Sequence, residues 1–140
     1  MPASIAATNA VTAHPFGILK GVDHLLTGKV ERVDTGFLQT LLASGIVPVV
    51  PPIGVDGEGR SFRVNSDAVA VEVARALSAV KLVYITMSDG LRVDGSLARQ
   101  LSVRELAEAL SRGAVDPAHV SKARHAVAAC EAGVPRVHVI

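Results

Sequence analysis

Three short runs rich in valine and isoleucine constrain this chain more than any other feature. They are IVPVV at 46–50, KLVYIT at 81–86 and RVHVI at 136–140. Between them, apolar side chains recur at helical spacing, most clearly over 66–79, whereas each run has the length of a buried strand. Strands that alternate with helices of ~10–15 residues pair in parallel through right-handed crossovers. The sequence therefore predicts an α/β protein, a three-layer α/β/α sandwich with a mainly parallel sheet.

Cap and turn residues indicate where several of these elements begin and end. Ser102 and Glu105 have the spacing of a capping box, and Gly113 closes the helix that they start. Another helix is expected from about His119 to Ala132. An Asp-Gly turn predicts a small β-hairpin over 53–64.

The N-terminal residues carry no strand or helix pattern, so we expect a flexible segment at 1–12 ahead of a single domain at 13–140. The N-terminal run has no basic leader, and no segment approaches the ~20 apolar residues of a membrane span. A single cysteine, Cys130, excludes an intramolecular disulfide, and its Ala-rich surroundings favour a packed thiol over a reactive one. A reducing, cytoplasmic setting with no membrane partner is therefore expected.

Charge and motif content argue against several classes of function. Fourteen Lys and Arg residues balance thirteen Asp and Glu residues to a net charge of +1, with no basic stripe. Neither a Gly-x-Ser-x-Gly nucleophile motif nor a Walker phosphate-binding motif is present. The five histidines, at 14, 24, 119, 125 and 138, lack the paired spacing of metal ligands. The sequence thus predicts no nucleic-acid partner and no metal site.

A cluster of small polar residues, Asn65, Ser66 and Asp67, stands directly before the apolar helix pattern at 66–79. Asn65 and Ser66 are sufficient as helix caps, and a carboxylate in the first turn gains about 0.3–1 kcal/mol from the helix dipole. A helix terminus near strand ends also holds anions, so a ligand role for Asp67 stays open. By residue physics alone the capping role is favoured, and Lys122 is an ordinary solvated helix charge.

Five short motifs follow one another in an order that is typical of a known family. They are HPFGILKGVD at 14–23, LTGKVERVD at 26–34, GIVPVVPPIG at 45–54, VNSD at 64–67 and GVPRVHVI at 133–140. This order resembles the amino-acid-kinase-like domain of N-acetylglutamate synthases. N-acetylglutamate kinases share much of it, but the motifs up to residue 34 favour the synthases. The resemblance implies a carbamate-kinase-like fold, of which this chain is a fragment holding the C-terminal part, without an acetyltransferase domain.

The resemblance also implies roles for individual residues. Asp67 matches the family's catalytic aspartate, and Lys122 matches a lysine that stabilises the transferring phosphoryl group. Arg63 falls where kinases hold acetylglutamate with an amide, with Asn65 beside it, and Met87 falls where they carry a nucleotide-site aspartate. Because the Gly-rich phosphate cradle of the kinases is missing as well, the catalytic positions are expected to be vestigial. His138 matches a position lining the family's arginine site.

For function, the resemblance implies that this chain is part of a synthase that transfers acetyl from acetyl-CoA to glutamate in arginine biosynthesis. In such a synthase this domain would sense arginine and support assembly as a homo-oligomer. Its partners would be arginine, glutamate or N-acetylglutamate, and this chain itself would hold no cofactor. Two alternatives stay open: an N-acetylglutamate kinase using ATP and magnesium, and a non-catalytic binding module. If sheet strands are missing, unpaired edges are expected to make the chain associate with itself.

Overall fold

The computed structural model describes residues 2–23 and 25–140, so Met1 and one of the five histidines, His24, lie outside the described residues. The chain divides into two compact units, Met1–Leu77 and Ser78–Ile140. None of the helices built from the described residues has the length and apolar character that a membrane crossing needs.

The described residues of the first unit form two α-helices and eight strands. In chain order they are β1 (Ala3–Ala6), β2 (Val11–Pro15), β3 (Ile18–Leu19), β4 (Val22–Asp23), β5 (Gly28–Val33), α1 (Thr35–Ala43), β6 (Ile46–Val49), β7 (Ile53–Val55), β8 (Ser61–Arg63) and α2 (Ser66–Ala76).

Four strands of the first unit form one sheet with the order β5-β2-β7-β8. Strand β2 pairs antiparallel with β5 and parallel with β7, and β7 and β8 form an antiparallel hairpin. The hairpin confirms the one predicted over 53–64. Separately, β1 pairs in parallel with β6, and the short strands β3 and β4 pair antiparallel.

Two groups of buried side chains hold the first unit together. One group lies around the four-stranded sheet and includes Phe62, Val64 and Val69, so it ties β8 to α2. The other group joins Ala7 and Ala10, between β1 and β2, and Val33 of β5 to Leu38 of α1. Helix α1 starts because the Asp34 carboxylate accepts a hydrogen bond from the backbone N–H of Phe37 at 2.9 Å.

The second unit contains two helices, four strands and a 3₁₀ turn at Pro117–His119. The elements are β9 (Leu82–Tyr84), β10 (Arg92–Val93), β11 (Ser96–Leu97), α3 (Val103–Ser111), α4 (Val120–Glu131) and β12 (Val137–Val139). Strands β9 and β12 pair in parallel, and β10 and β11 pair antiparallel. Helices α3 and α4 pack through a shared apolar cluster of Leu91, Leu106, Ala109, Val115, Ala123 and Ala126.

The predicted capping box at the start of α3 is confirmed. The Ser102 hydroxyl accepts from the backbone N–H of Glu105 at 3.2 Å, and a Glu105 carboxylate oxygen accepts from the backbone N–H of Ser102 at 2.7 Å. Hydrogen bonds from Ser102 hold the pKa of the Glu105 carboxyl below its ordinary value. The cap therefore favours the ionised carboxylate, and its contribution is lost as pH falls through the lowered pKa.

The α/β fold class with parallel sheet elements is confirmed, but two local predictions differ from the structure. Residues 3–6 form strand β1 instead of belonging to a flexible N-terminal segment, because they pair with β6 through backbone groups that leave no side-chain pattern. Helix α2 ends at Ala76, three residues before the predicted end. Ser78 has a φ of +50°, which a continuing helix excludes.

Candidate functional site

In the first unit, the predicted site residues lie where β8 leads into α2. Asn65 has an extended backbone, and its Oδ1 accepts from the backbone N–H of Ala68 at 2.9 Å, so it is the N-cap of α2. Ser66 is the first helical residue. Asp67 follows in the first turn and is buried. The capping role is thus confirmed for Asn65, while the carboxylate next to it lies inside the fold.

Replacing Asn65 by alanine is expected to lower the free energy of unfolding by about 1 kcal/mol, because the backbone N–H of Ala68 loses its acceptor. Ser66→Ala is the matched control on the same turn, with an expected effect within about 0.5 kcal/mol. Urea unfolding followed by far-UV circular dichroism measures both. Equal effects of the two changes would contradict the assignment of Asn65 as the cap.

Arg63 is exposed at the end of β8, and its backbone N–H donates to the carbonyl oxygen of Leu26 at 2.8 Å. Asn65 is exposed as well. Since successive side chains of an extended chain alternate in direction, Arg63 and Asn65 project to the same side. A guanidinium beside an amide fits a carboxylate-bearing ligand better than it fits a cation. The structure therefore brings Arg63, Asn65 and Asp67 together within one short segment.

In the second unit, a polar cluster lies just after the end of β9. The hydroxyls of Thr86 and Ser88 are 3.0 Å apart, and Ser88 Oγ shares a 2.8 Å hydrogen bond with Nε2 of His119. His119 is buried, and its Nδ1 has no hydrogen-bond partner among the described residues. The cluster ties the turn after β9 to the 3₁₀ turn before α4.

A serine hydroxyl beside an imidazole has the geometry of a nucleophile and its base. Here, however, Ser88 Oγ also lies 3.4 Å from the carbonyl oxygen of Gly90, and Thr86 Oγ1 donates to the carbonyl oxygen of Ser88 at 2.9 Å. The hydroxyl groups are therefore used within the turn. We assign the Ser88–His119 pair a positioning role for the end of β9.

Lys122 lies on the first turn of α4, with its Nζ 5.3 Å from the centroid of the Tyr84 ring. An ammonium at this distance is attracted to the ring face. Tyr84 is buried in β9, so the contact places Lys122 against that strand. Lys122 is half-buried, which differs from the solvated helix charge that residue physics favours.

His138 lies in the middle of β12, exposed, and in register with Val83 of β9. Met87, which resemblance places at the nucleotide-site position, is fully exposed. The structure thus places Lys122, Met87 and His138 in the second unit, apart in sequence from the segment around Asp67. Each unit carries its own share of the predicted residues.

The sequence did not single out Ser88 and His119. A signal was available, because Asp116 followed by Pro117 is a usual start of a helical turn. In the structure Asp116 accepts from the backbone N–H of Ala118 at 2.9 Å. That start places His119 at the end of the 3₁₀ turn, directly before α4.

Other polar groups offer little alternative chemistry. Among residues 2–23 and 25–140, no three His, Cys, Asp or Glu side chains come together in a way that could hold a metal ion. Burial raises the pKa of the Cys130 thiol, which agrees with a packed role. A shallow cleft of about 440 Å³ in the first unit lies between the start of α1 and the end of α2, away from Asn65 and Asp67.

The comparisons with known proteins agree on one family. The model of the amino acid kinase family matches residues 2–140. Acetylglutamate kinase from Kosmotoga olearia is 39% identical over 113 residues, covering 81% of this chain and 40% of the relative. Acetylglutamate kinase from Moorella thermoacetica is 40% identical over 117 residues, with the same coverage. The chain thus spans about two fifths of the length of these curated relatives.

Solved structures give a complementary view. N-acetylglutamate synthase from Neisseria gonorrhoeae, complexed with coenzyme A and L-arginine, matches with a TM-score of 0.89 and 34% identity. The match covers 99% of this chain and 32% of the synthase chain. A Streptococcus mutans protein, smu.665, matches with a TM-score of 0.87 at 21% identity, which shows a common fold alone.

Proposed function

This chain belongs to the amino acid kinase family, and from that premise we propose that it is part of the kinase-like domain of an N-acetylglutamate synthase, where it binds arginine. In that setting the whole protein transfers acetyl from acetyl-CoA to glutamate, the first step of arginine biosynthesis, in the cytoplasm and as a homo-oligomer. This chain contributes regulation and assembly.

The observation that carries the proposal is the likeness to the gonococcal synthase, at a TM-score of 0.89 and 34% identity over 99% of this chain. That synthase was crystallised with L-arginine in one complex and with N-acetyl-glutamate in another, each time with coenzyme A. His138 is exposed on β12, so its imidazole is accessible to a ligand. We assign His138 to the arginine site.

The segment around α2 fits a binding role better than a phosphoryl-transfer role. Arg63 and Asn65 are exposed donors suited to the carboxylate of glutamate or N-acetylglutamate. Asp67 and Lys122 keep the side chains of the kinase positions, and we propose that they are vestigial. Acetyl-CoA supplies the acetyl group in the whole synthase, and we assign none of the residues of this chain to it.

Arginine at millimolar concentration is expected to raise the melting temperature of the chain, because a ligand that binds only the folded state adds stability, about 2.7 kcal/mol at a hundred times its Kd. His138→Asn is expected to remove most of this shift. His14→Asn, which changes another exposed histidine on a strand of the first unit, is expected to leave the shift intact. Differential scanning fluorimetry across an arginine titration measures all three proteins.

A melting temperature that does not respond to arginine would contradict the sensing role. An equal loss of the shift in both histidine variants would contradict the place of the site. Lysine at the same concentration controls for a general effect of a cationic amino acid.

A second candidate function is N-acetylglutamate kinase, with ATP and magnesium. It is favoured by identities of 34–40% to acetylglutamate kinases from three organisms. The residues here do not fit a nucleotide cradle well. The two glycines with the closest neighbours, Gly28 and Gly54, face Phe62 and Ala13 and so serve packing.

The kinase would be established by ATP-dependent phosphorylation of N-acetylglutamate that is lost in the variants Asp67→Asn and Lys122→Ala. If a folded preparation shows no such phosphorylation but still binds arginine, the sensing role is favoured.

A further inference from the structure

Three aspartates of this chain are followed directly by glycine: Asp56, Asp89 and Asp94. At such a step the backbone nitrogen of the glycine can attack Cγ of the aspartate, because glycine has no side chain to shield that nitrogen. A C–N bond forms, and the amide proton and the carboxyl OH leave together as water, so a five-membered succinimide ring closes. Water then reopens the ring at either carbonyl. The product is aspartate or isoaspartate, whose backbone runs through the side-chain carboxyl.

At Asp56 the carboxylate is held by its own hairpin turn. The side chain is 12% exposed, and its Oδ1 accepts from the backbone N–H groups of Glu58 and Arg60, each at 2.9 Å. Nε of Arg60 donates to the other oxygen at 2.7 Å. Because these bonds fix the orientation of the carboxylate, ring closure is disfavoured at this step.

The step at Asp89 is protected at its glycine instead. The Asp89 side chain is 61% exposed, but Gly90 is buried. An ideal Cβ at Gly90 lies 3.1 Å from Cδ1 of Leu97. The Gly90 nitrogen therefore reaches Cγ of Asp89 only after the packing around Leu97 has opened.

The step at Asp94 has neither form of protection. Asp94 and Gly95, with φ values of +52° and +76°, are the two turn residues between β10 and β11, and both are exposed. Among residues 2–23 and 25–140, the N–H of Gly95 has no acceptor, so the attacking nitrogen is not engaged. Each of the two strands has only two residues. Opening of this turn therefore disrupts little structure.

A single side chain restrains the Asp94 carboxylate. Arg112 lies directly after α3, and its Nη1 and Nη2 donate to the two carboxylate oxygens of Asp94 at 3.1 and 2.7 Å. A bidentate pair fixes the orientation of the carboxylate, so Cγ is not free to turn toward the Gly95 nitrogen. Both side chains are more than half exposed, and an exposed pair of this kind shifts an equilibrium by a factor of only about 1.5–5.

We propose that the Asp94–Gly95 step is a modification site, at which aspartate converts to isoaspartate without an enzyme, and that Arg112 slows the conversion. The product has an additional methylene in its backbone, which a two-residue hairpin turn does not accommodate. Conversion therefore disrupts the pairing of β10 with β11 and separates the carboxylate from Arg112. The site is independent of arginine binding.

The test uses the full chain, incubated for several weeks at physiological temperature and neutral pH and then digested with trypsin. Asp94 lies in the tryptic peptide 93–99, Asp89 in 82–92 and Asp56 in 33–60. Chromatography with mass spectrometry separates the isoaspartate form of each peptide. We expect isoaspartate to accumulate in 93–99 ahead of the other two peptides, and about 1.5–5 times faster in Arg112→Gln.

Arg124→Gln, which changes an exposed arginine of α4, is the matched control and is expected to leave the rate unchanged. Asp94→Glu is expected to remove the signal, because a glutamate would have to close a six-membered ring. Circular dichroism checks that the variants fold. In urea the three steps are expected to convert at similar rates. Isoaspartate appearing first at Asp56 or Asp89, or equal rates in Arg112→Gln and the unchanged chain, would overturn the proposal, as would a preference for Asp94 that persists in urea.

Discussion

Truncating Leu38 to alanine is expected to lower the free energy of unfolding by about 2–5 kcal/mol. Leu38 is 0% exposed and packs with Ala7, Ala10 and Val33, so it joins α1 to the N-terminal strands. Three residues of its cluster, Ala7, Ala10 and Ala76, are alanines, which are too short to refill the space. The loss is therefore the apolar transfer energy of the side chain together with the cost of a cavity.

Leu42→Ala on the same helix is the matched control, because Leu42 is 46% exposed. Its expected effect is within about 0.5 kcal/mol. The chain has no tryptophan, and its only tyrosine, Tyr84, lies in the second unit, so fluorescence does not report on α1. Urea unfolding followed by far-UV circular dichroism, with hydrogen exchange of α1 amides, is the suitable measurement. Similar losses for both leucines would show that α1 does not pack through Leu38.

Replacing Gly54 by alanine is expected to destabilise the first unit by about 1–3 kcal/mol, because the added group overpacks the sheet. An ideal Cβ at Gly54 lies 2.4 Å from the Cβ of Ala13 and 3.3 Å from the Ala13 backbone nitrogen. Gly54 lies on β7 and Ala13 on the neighbouring strand β2, so neither Cβ can rotate away. Relief requires the strands to separate, which weakens their pairing.

Two further variants identify the cause. Gly57→Ala lies in the hairpin turn with no atom within 4 Å of its added Cβ, and it is expected to be neutral or slightly stabilising. Combining Gly54→Ala with Ala13→Gly removes the clashing methyl group and is expected to restore part of the lost stability. A double variant no more stable than Gly54→Ala alone would exclude the close contact as the cause. Thermal unfolding by circular dichroism compares the four proteins.

Local sequence signals predicted the elements that local chemistry determines. The capping box at Ser102, the hairpin over 53–64 and the helix before Ala132 appear in the structure within a few residues of the prediction. The sequence did not predict strand β1. Its four side chains are all exposed, so buried and exposed positions do not alternate along it. Its position depends on backbone hydrogen bonds to β6, about forty residues later in the chain.

For the candidate site, the sequence determined residue types and the fold determined their surroundings. It predicted Asn65 as a cap, which the structure confirms, and it favoured a solvated Lys122, which instead lies over the Tyr84 ring. That contact joins residues 38 positions apart, so no spacing rule reveals it. The same reason explains why the hydrogen bond between Ser88 and His119, separated by 31 positions, was not predicted.

By itself, the sequence determined that this chain is an α/β protein of the amino acid kinase family, since apolar periodicity, caps and motif order act over a few residues at a time. The burial of Asp67, the position of Lys122 over an aromatic ring and the hydrogen bond between Ser88 and His119 became visible with the fold alone. Burial and strand pairing depend on which distant segments come together. Strands pair through backbone N–H and C=O groups, which nearly every residue carries, so the sequence does not reveal which strands pair.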